Sequence, residues 1–156
     1  MRVAWEDGEV VQDGEAVART APGFWAPTAG FDVLGTRWTL RREGAAYVAA
    51  REDDDRLRLD ARGGLGARRT LATPDAVLEL VRTSSLFGAL CFDLEGPRGR
   101  IGSIAPEGPW RYRPALEARL PVDPALATFV LWSAAQLDAR RPTRVLSGAP
   151  ATGAHG

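Results

Sequence analysis

The side chains with most to offer a ligand in this 156-residue chain are its arginines. All 20 basic residues are arginine, lysine is absent, and the one histidine, His155, is the penultimate residue. Four arginines fall into two close pairs, Arg98 and Arg100 in "EGPRGRIG", and Arg111 and Arg113 in "PWRYRP". Residues two apart on a strand share a face. Arg111 and Arg113 are therefore predicted on one outward face of a strand, with Trp110 and Tyr112 pointing inward. Arg98 and Arg100 belong to the neighbouring hairpin. Together the four form a candidate anion site, because guanidinium forks match phosphate and carboxylate bidentately. The competing reading is a salt-laced surface, since the arginines balance 20 acids at zero formal charge.

Other chemistries find little support. His155 falls in residues 142–156, whose composition reads as a disordered tail, so no His-based triad or His-rich metal site is assigned. Without lysine there is no Schiff base and no P-loop lysine. "GGLGARRT" (residues 63–70) lacks the Gly-Lys-Ser/Thr of a phosphate cradle and reads as a hairpin turn. Cys91 alternates away from Leu90 and Phe92 and reads as a buried structural thiol. "REDDDR" (residues 51–56) offers Asp53, Asp54 and Asp55 to a divalent cation, which is a minor enzyme reading. It lacks the glycine and terminal glutamate of a calcium loop, so a solvated hairpin tip is preferred. No catalytic residue, metal site or cofactor is assigned.

The surrounding sequence is dense with turn signals. Asp7-Gly8 and Asp13-Gly14 separate short apolar runs, as in tight hairpins. "APGFWAPTAG" (residues 21–30) reads as a loop whose Phe24 and Trp25 pack down on the core. In "FDVLGTRWTLRR", period-two spacing puts Leu34, Trp38 and Leu40 on one face, with Gly35 as a bulge. Leu57 and Leu59 alternate with Arg56, Arg58 and Asp60. Residues 75–82 suit either a helix opened by Thr73-Pro74-Asp75 or a strand, and the strand is preferred. "ALCFDLEGPRGRIGSI" is a hairpin with Leu90, Phe92 and Leu94 on one face. Short strands recurring at about ten-residue spacing predict a barrel or sandwich.

One segment differs. "DPALATFVLWSAAQLDARR" (residues 123–141) has Asp123 as a helix N-cap and Pro124 in the first turn, predicting a helix over about residues 124–140. At about 100° per residue its large side chains scatter around the whole circumference. A helix apolar all round is enclosed by protein or by lipid. Residues 125–135 would rise only about 16 Å, against a hydrocarbon core of roughly 30 Å. The segment is therefore predicted as the core of the fold, ringed by the strands.

A many-stranded barrel closed around one hydrophobic C-terminal helix resembles the tubby C-terminal domain, the phospholipid scramblases and the plant LURP-one-related proteins. "FDLEGPRGRIGSI" (residues 92–104) is similar to that superfamily's strand, turn and Gly-x-Ile return strand. "PWRYRPALEARLP" then resembles its basic and aromatic strand before the apolar helix. The resemblance runs over residues 31–141 and is densest from residue 78. It implies a closed antiparallel β-barrel wrapped around the helix, in one domain over residues 1–141. Tubby-type domains bind phosphoinositides through basic residues, but no motif here carries that site over residue by residue. The proline-rich extension, cysteine cluster and calcium segment of scramblases are not recognisable, which argues against lipid scrambling.

The expected function is a non-catalytic binding module for anionic phospholipid or another phosphate-bearing ligand, through Arg98, Arg100, Arg111 and Arg113. The alternative is a structural or regulatory domain that recognises a protein partner. Zero net charge gives no support to nucleic-acid binding. "MRVAWEDGEVV" has no apolar signal region, so a cytoplasmic location is expected, with peripheral membrane contact compatible with the lipid reading.

Overall fold

In a computed structural model the described residues are 1–52, 54–61, 68–86, 88–108 and 112–140. Both Asp-Gly pairs turn as their types require, with φ of +48° and +87° at Asp7 and Gly8 and +49° and +87° at Asp13 and Gly14. They join β1 (Arg2–Glu6), β2 (Glu9–Gln12) and β3 (Glu15–Thr20). The wall continues through β4 (Ala29–Val33), β5 (Thr36–Glu43), β6 (Ala46–Arg51), β7 (Asp54–Ala61) and β8 (Arg68–Ala72). It is completed by β9 (Val77–Leu86), β10 (Ala89–Gly96), β11 (Gly99–Pro106) and β12 (Pro114–Ala118). Each strand pairs antiparallel with the next, and β12 pairs with β1 to close the barrel. The seam is set by Val3 opposite Leu116 and by the Met1 amino group donating to the Ala118 carbonyl at 3.0 Å. Closure leaves no strand edge open to a second chain.

The ambiguous residues 75–82 lie in a turn and in β9. Thr73 Oγ1 accepts from the Ala76 amide at 2.9 Å and donates to the Ala76 carbonyl at 2.9 Å, so it closes the β8–β9 turn where it might have capped a helix. Leu34 corrects the expectation. Val33 pairs with Thr36, leaving Leu34 and Gly35 as a two-residue turn with φ of +50° and +82°. Leu34 is 98% exposed, while Trp38 and Leu40 face inward as expected. The pairing of Phe31 with Trp38, both buried and stacked at 5.7 Å, fixes the register and ejects the leucine into the turn.

Inside the wall lies α1 (Pro124–Ala139), with Asp123 Oδ2 accepting from the amides of Ala125 and Leu126 at 3.1 and 3.2 Å. Phe129, Leu131 and Trp132 are each 0% exposed and Val130 is 1% exposed, although they point in different directions from the helix axis. Burying these four contributes on the order of 6–12 kcal/mol before entropy, comparable with the net stability of a typical domain. Among the described residues, no helix is long and apolar enough to cross a membrane.

Trp132, Gln136 and Asp138 of the helix are matched to irregular places in the wall, while Ser133 Oγ is buried with no hydrogen-bond partner among the described residues. Trp132 Nε1 donates to the Ala26 carbonyl and Gln136 Nε2 to the Trp25 carbonyl, both at 2.9 Å, in the β3–β4 loop. Asp138, 1% exposed, accepts from the Leu90 amide at 3.0 Å beside the β-bulge of β10. Tyr112 Oη donates to the carbonyl of the same Leu90 at 2.9 Å. Both backbone groups of Leu90 are thus held by side chains.

The glycine of "GSI" also gains a physical reason. A Cβ on Gly102 would stand 2.6 Å from the Glu117 carbonyl oxygen and 3.0 Å from Ala118 Cα, both backbone atoms of β12. Gly102→Ala should cost about 1–3 kcal/mol in urea unfolding by prying β11 from β12. Leu34→Asn should stabilise the chain by roughly 1 kcal/mol in the same assay, because asparagine tolerates positive φ better.

Candidate functional site

Antiparallel alternation places the turns at two mouths. The entry mouth, where α1 begins, carries the Asp13-Gly14, Leu34-Gly35, residue 73–76 and Pro97-Arg98 turns. The exit mouth, where α1 ends, carries the Asp7-Gly8 turn, the β3–β4 loop and the β11–β12 connection.

The four arginines singled out from sequence do not converge. Arg98 and Arg100 lie on the β10–β11 hairpin at the entry mouth, exposed, with Arg100 Nη1 3.9 Å from Asp93 Oδ2. Arg113 lies at the other end of the barrel, because β11 and β12 pair from Gly102–Ala118 to Pro106–Pro114. Arg111 and Trp110 fall outside the described residues, as do Asp53 and the proposed tail. The expectation that Arg113 sits on an outward strand face needs correction. β12 starts only at Pro114, and the Arg113 guanidinium covers the rings of Trp25 at 4.9 Å and Trp5 at 5.8 Å. Tyr112 is buried as expected.

Arg113 thereby belongs to an aromatic cluster on the exit rim. Trp25 meets Phe24 edge-on at 4.8 Å and Trp5 at 5.8 Å, and Trp5 Nε1 donates to Thr20 Oγ1 at 2.9 Å. These residues line a depression of about 430 Å³.

Elsewhere the arginines sort by face. Those on the outer wall pair with acids across strands. Arg41 Nη2 reaches Glu43 at 2.6 Å and Asp55 at 2.8 Å, and Arg58 bridges Glu43 at 3.1 Å and Asp60 at 2.9 Å. Hydrogen bonds from Arg41, then from Arg58, hold the Glu43 carboxyl below its ordinary value. Arg68 spans Glu79 and Glu95, each at 3.3 Å, and Arg2 pairs with Glu107. Asp54 and Asp55, offered above to a cation, bind Arg56 at 2.7 Å and Arg41. Among the described residues no group of three acidic, histidine or cysteine side chains gathers as a metal site would require.

A different set continues the inward face beyond the core. Arg42 follows Trp38 and Leu40 on β5, Arg69 precedes Leu71 on β8, and Arg82 follows Leu78 and Leu80 on β9. Their strand partners confirm the face: Arg42 stands opposite buried Tyr47, Arg69 opposite buried Leu80, and Arg82 opposite buried Phe92. Arg69 and Arg82 are diagonal neighbours, about 7–8 Å apart at the backbone. All three lie toward the exit mouth, where Arg140 ends α1. Among the described residues none of these four has a carboxylate within ion-pairing distance, whereas most arginines on the outer wall have one. Arg19, Arg98 and Arg119 also lack one and, like Arg42, Arg82 and Arg140, are exposed. They differ in that Arg19 alternates outward with buried Ala18 and Thr20, Arg98 lies in a turn and Arg119 follows β12. Sequence reasoning missed Arg42, Arg69 and Arg82, although each extends a period-two apolar face by one step.

No protein-family model matches the chain, and no similar protein was found among curated proteins or solved structures.

Proposed function

We propose that this chain is a non-catalytic binding module for a phosphate-bearing anion, with the headgroup of an anionic phospholipid as the favoured ligand, in a tubby-like barrel. The observation that carries the reading is the contrast between the two arginine sets. Most outward guanidiniums among the described residues pair with neighbouring acids, while Arg42, Arg69 and Arg82 extend the interior face toward the exit mouth without a carboxylate. A guanidinium pair at diagonal strand positions is suited to grip phosphate oxygens bidentately. The site thus moves from the exposed hairpin arginines to the mouth.

A second reading, recognition of a protein partner, is favoured by the Trp5, Phe24 and Trp25 cluster on the same rim, since aromatic side chains and arginine anchor protein interfaces.

Sedimentation with phosphatidylserine or phosphoinositide vesicles at low salt tests the first reading. Wild-type protein should sediment, and Arg69→Ala/Arg82→Ala should reduce binding at least tenfold. Inorganic phosphate competing at millimolar concentration would identify free phosphate as sufficient. Retention of binding by that variant, with loss in Arg98→Ala/Arg100→Ala, would place the site on the entry hairpin and overturn the mouth assignment. Absence of vesicle binding together with capture of a stoichiometric protein, lost in Trp25→Ala, would establish the second reading instead.

A further inference from the structure

The entry mouth holds a separate cleft of about 360 Å³ beside the start of α1. Its lining includes Arg51, at the end of β6, Arg56, at the start of β7, Asp75, in the β8–β9 turn, and the helix cap Asp123. Trp38, Leu57 and Leu126 supply apolar lining. Opposite charges thus line one small space, yet no ion pair joins either arginine to either aspartate.

Arg51, Arg56 and Asp123 are each engaged by groups other than the opposite charges of the cleft. Arg51 lies over the Trp38 ring at 5.8 Å, and Trp38 is itself stacked on Phe31. It has no carboxylate partner among the described residues. Arg56 Nε is 2.7 Å from Asp54 Oδ2, but its N–H is not aimed at that oxygen and has no other acceptor. Asp123 accepts its two helix amides through Oδ2 alone, leaving Oδ1 outside those bonds. Asp75 is exposed at the turn and makes no side-chain ion pair.

From this arrangement we infer that the entry cleft binds a small zwitterion, with its anionic group on Arg51 and Arg56 and its ammonium group on Asp75 and Asp123. A ligand with only one charge would meet attraction from one pair of side chains and repulsion from the other. A zwitterion matches both, and a volume near the low end of the usual range for ligand sites favours a small molecule. This site is independent of the exit-mouth arginines.

Isothermal titration of the full chain with O-phosphoethanolamine, β-alanine, inorganic phosphate and ethylammonium tests the inference. At least one of the two zwitterions should bind tenfold or more tightly than both single-charge probes, and which of them does so identifies phosphate or carboxylate as the anionic group. Arg51→Ala and Asp75→Asn should each weaken that binding at least tenfold, while Arg69→Ala/Arg82→Ala leaves it unchanged. Asp75 is exposed, so its variant reports on the site without disturbing the core. Phosphate binding as tightly as the zwitterions, insensitivity to Asp75→Asn, loss in the exit-mouth variant, or no binding by either zwitterion at millimolar concentration would each overturn the proposal.

Discussion

A helix with large apolar side chains on every side cannot lie on the surface of a protein; it has to be surrounded. That constraint organises this molecule. Phe129, Val130, Leu131 and Trp132 occupy successive directions around α1, and all four are buried. An open sheet would cover only one side of such a helix. Twelve antiparallel strands closed through the β1–β12 seam cover all of them, and closure also removes the strand edges that an open sheet would expose.

Enclosure sets the terms for the polar groups that enter with the helix. Trp132 and Gln136 find carbonyls where the wall breaks into the β3–β4 loop, and Asp138 finds the Leu90 amide where β10 bulges. At these three positions irregularities of the sheet coincide with polar groups of the helix, as expected when an unmatched buried group costs roughly 1–3 kcal/mol. Ser133 Oγ is left without such a partner among the described residues. The buried side chains of the helix fill the space within the wall, and the two clefts described above open at its mouths. At the two mouths the inward-facing positions run past the last layer of core side chains. Arginine replaces leucine at those positions: Arg42, Arg69 and Arg82 at one end and Arg51 at the other.

Much of this was legible in sequence because the signals are local. Asp-Gly pairs mark their turns, Asp123-Pro124 marks the start of α1, and the scatter of large residues around that helix predicts burial. What failed depended on register. Period-two counting ran through Leu34 as though the strand continued, while the Phe31–Trp38 pairing makes it a turn residue. The same counting put Arg113 on a strand that begins one residue later, and grouped it with Arg98 and Arg100 at the far end of the barrel. Proximity in sequence implied proximity in space, but β11 separates the two along its whole length. The mouth arginines were overlooked for the converse reason. Nothing local announces where a barrel's core ends, so an arginine extending an apolar face reads as an ordinary outward charge.

The central claim, that the helix is the core of the barrel, is tested most directly by truncating the chain after residue 121. Urea unfolding, followed by far-UV and near-UV circular dichroism, compares the truncated and complete chains. The complete chain should unfold in one cooperative transition, while the truncated chain should aggregate or show no cooperative transition and no near-UV signal. A soluble, monomeric truncated chain that unfolds cooperatively with a native-like near-UV spectrum would contradict the account.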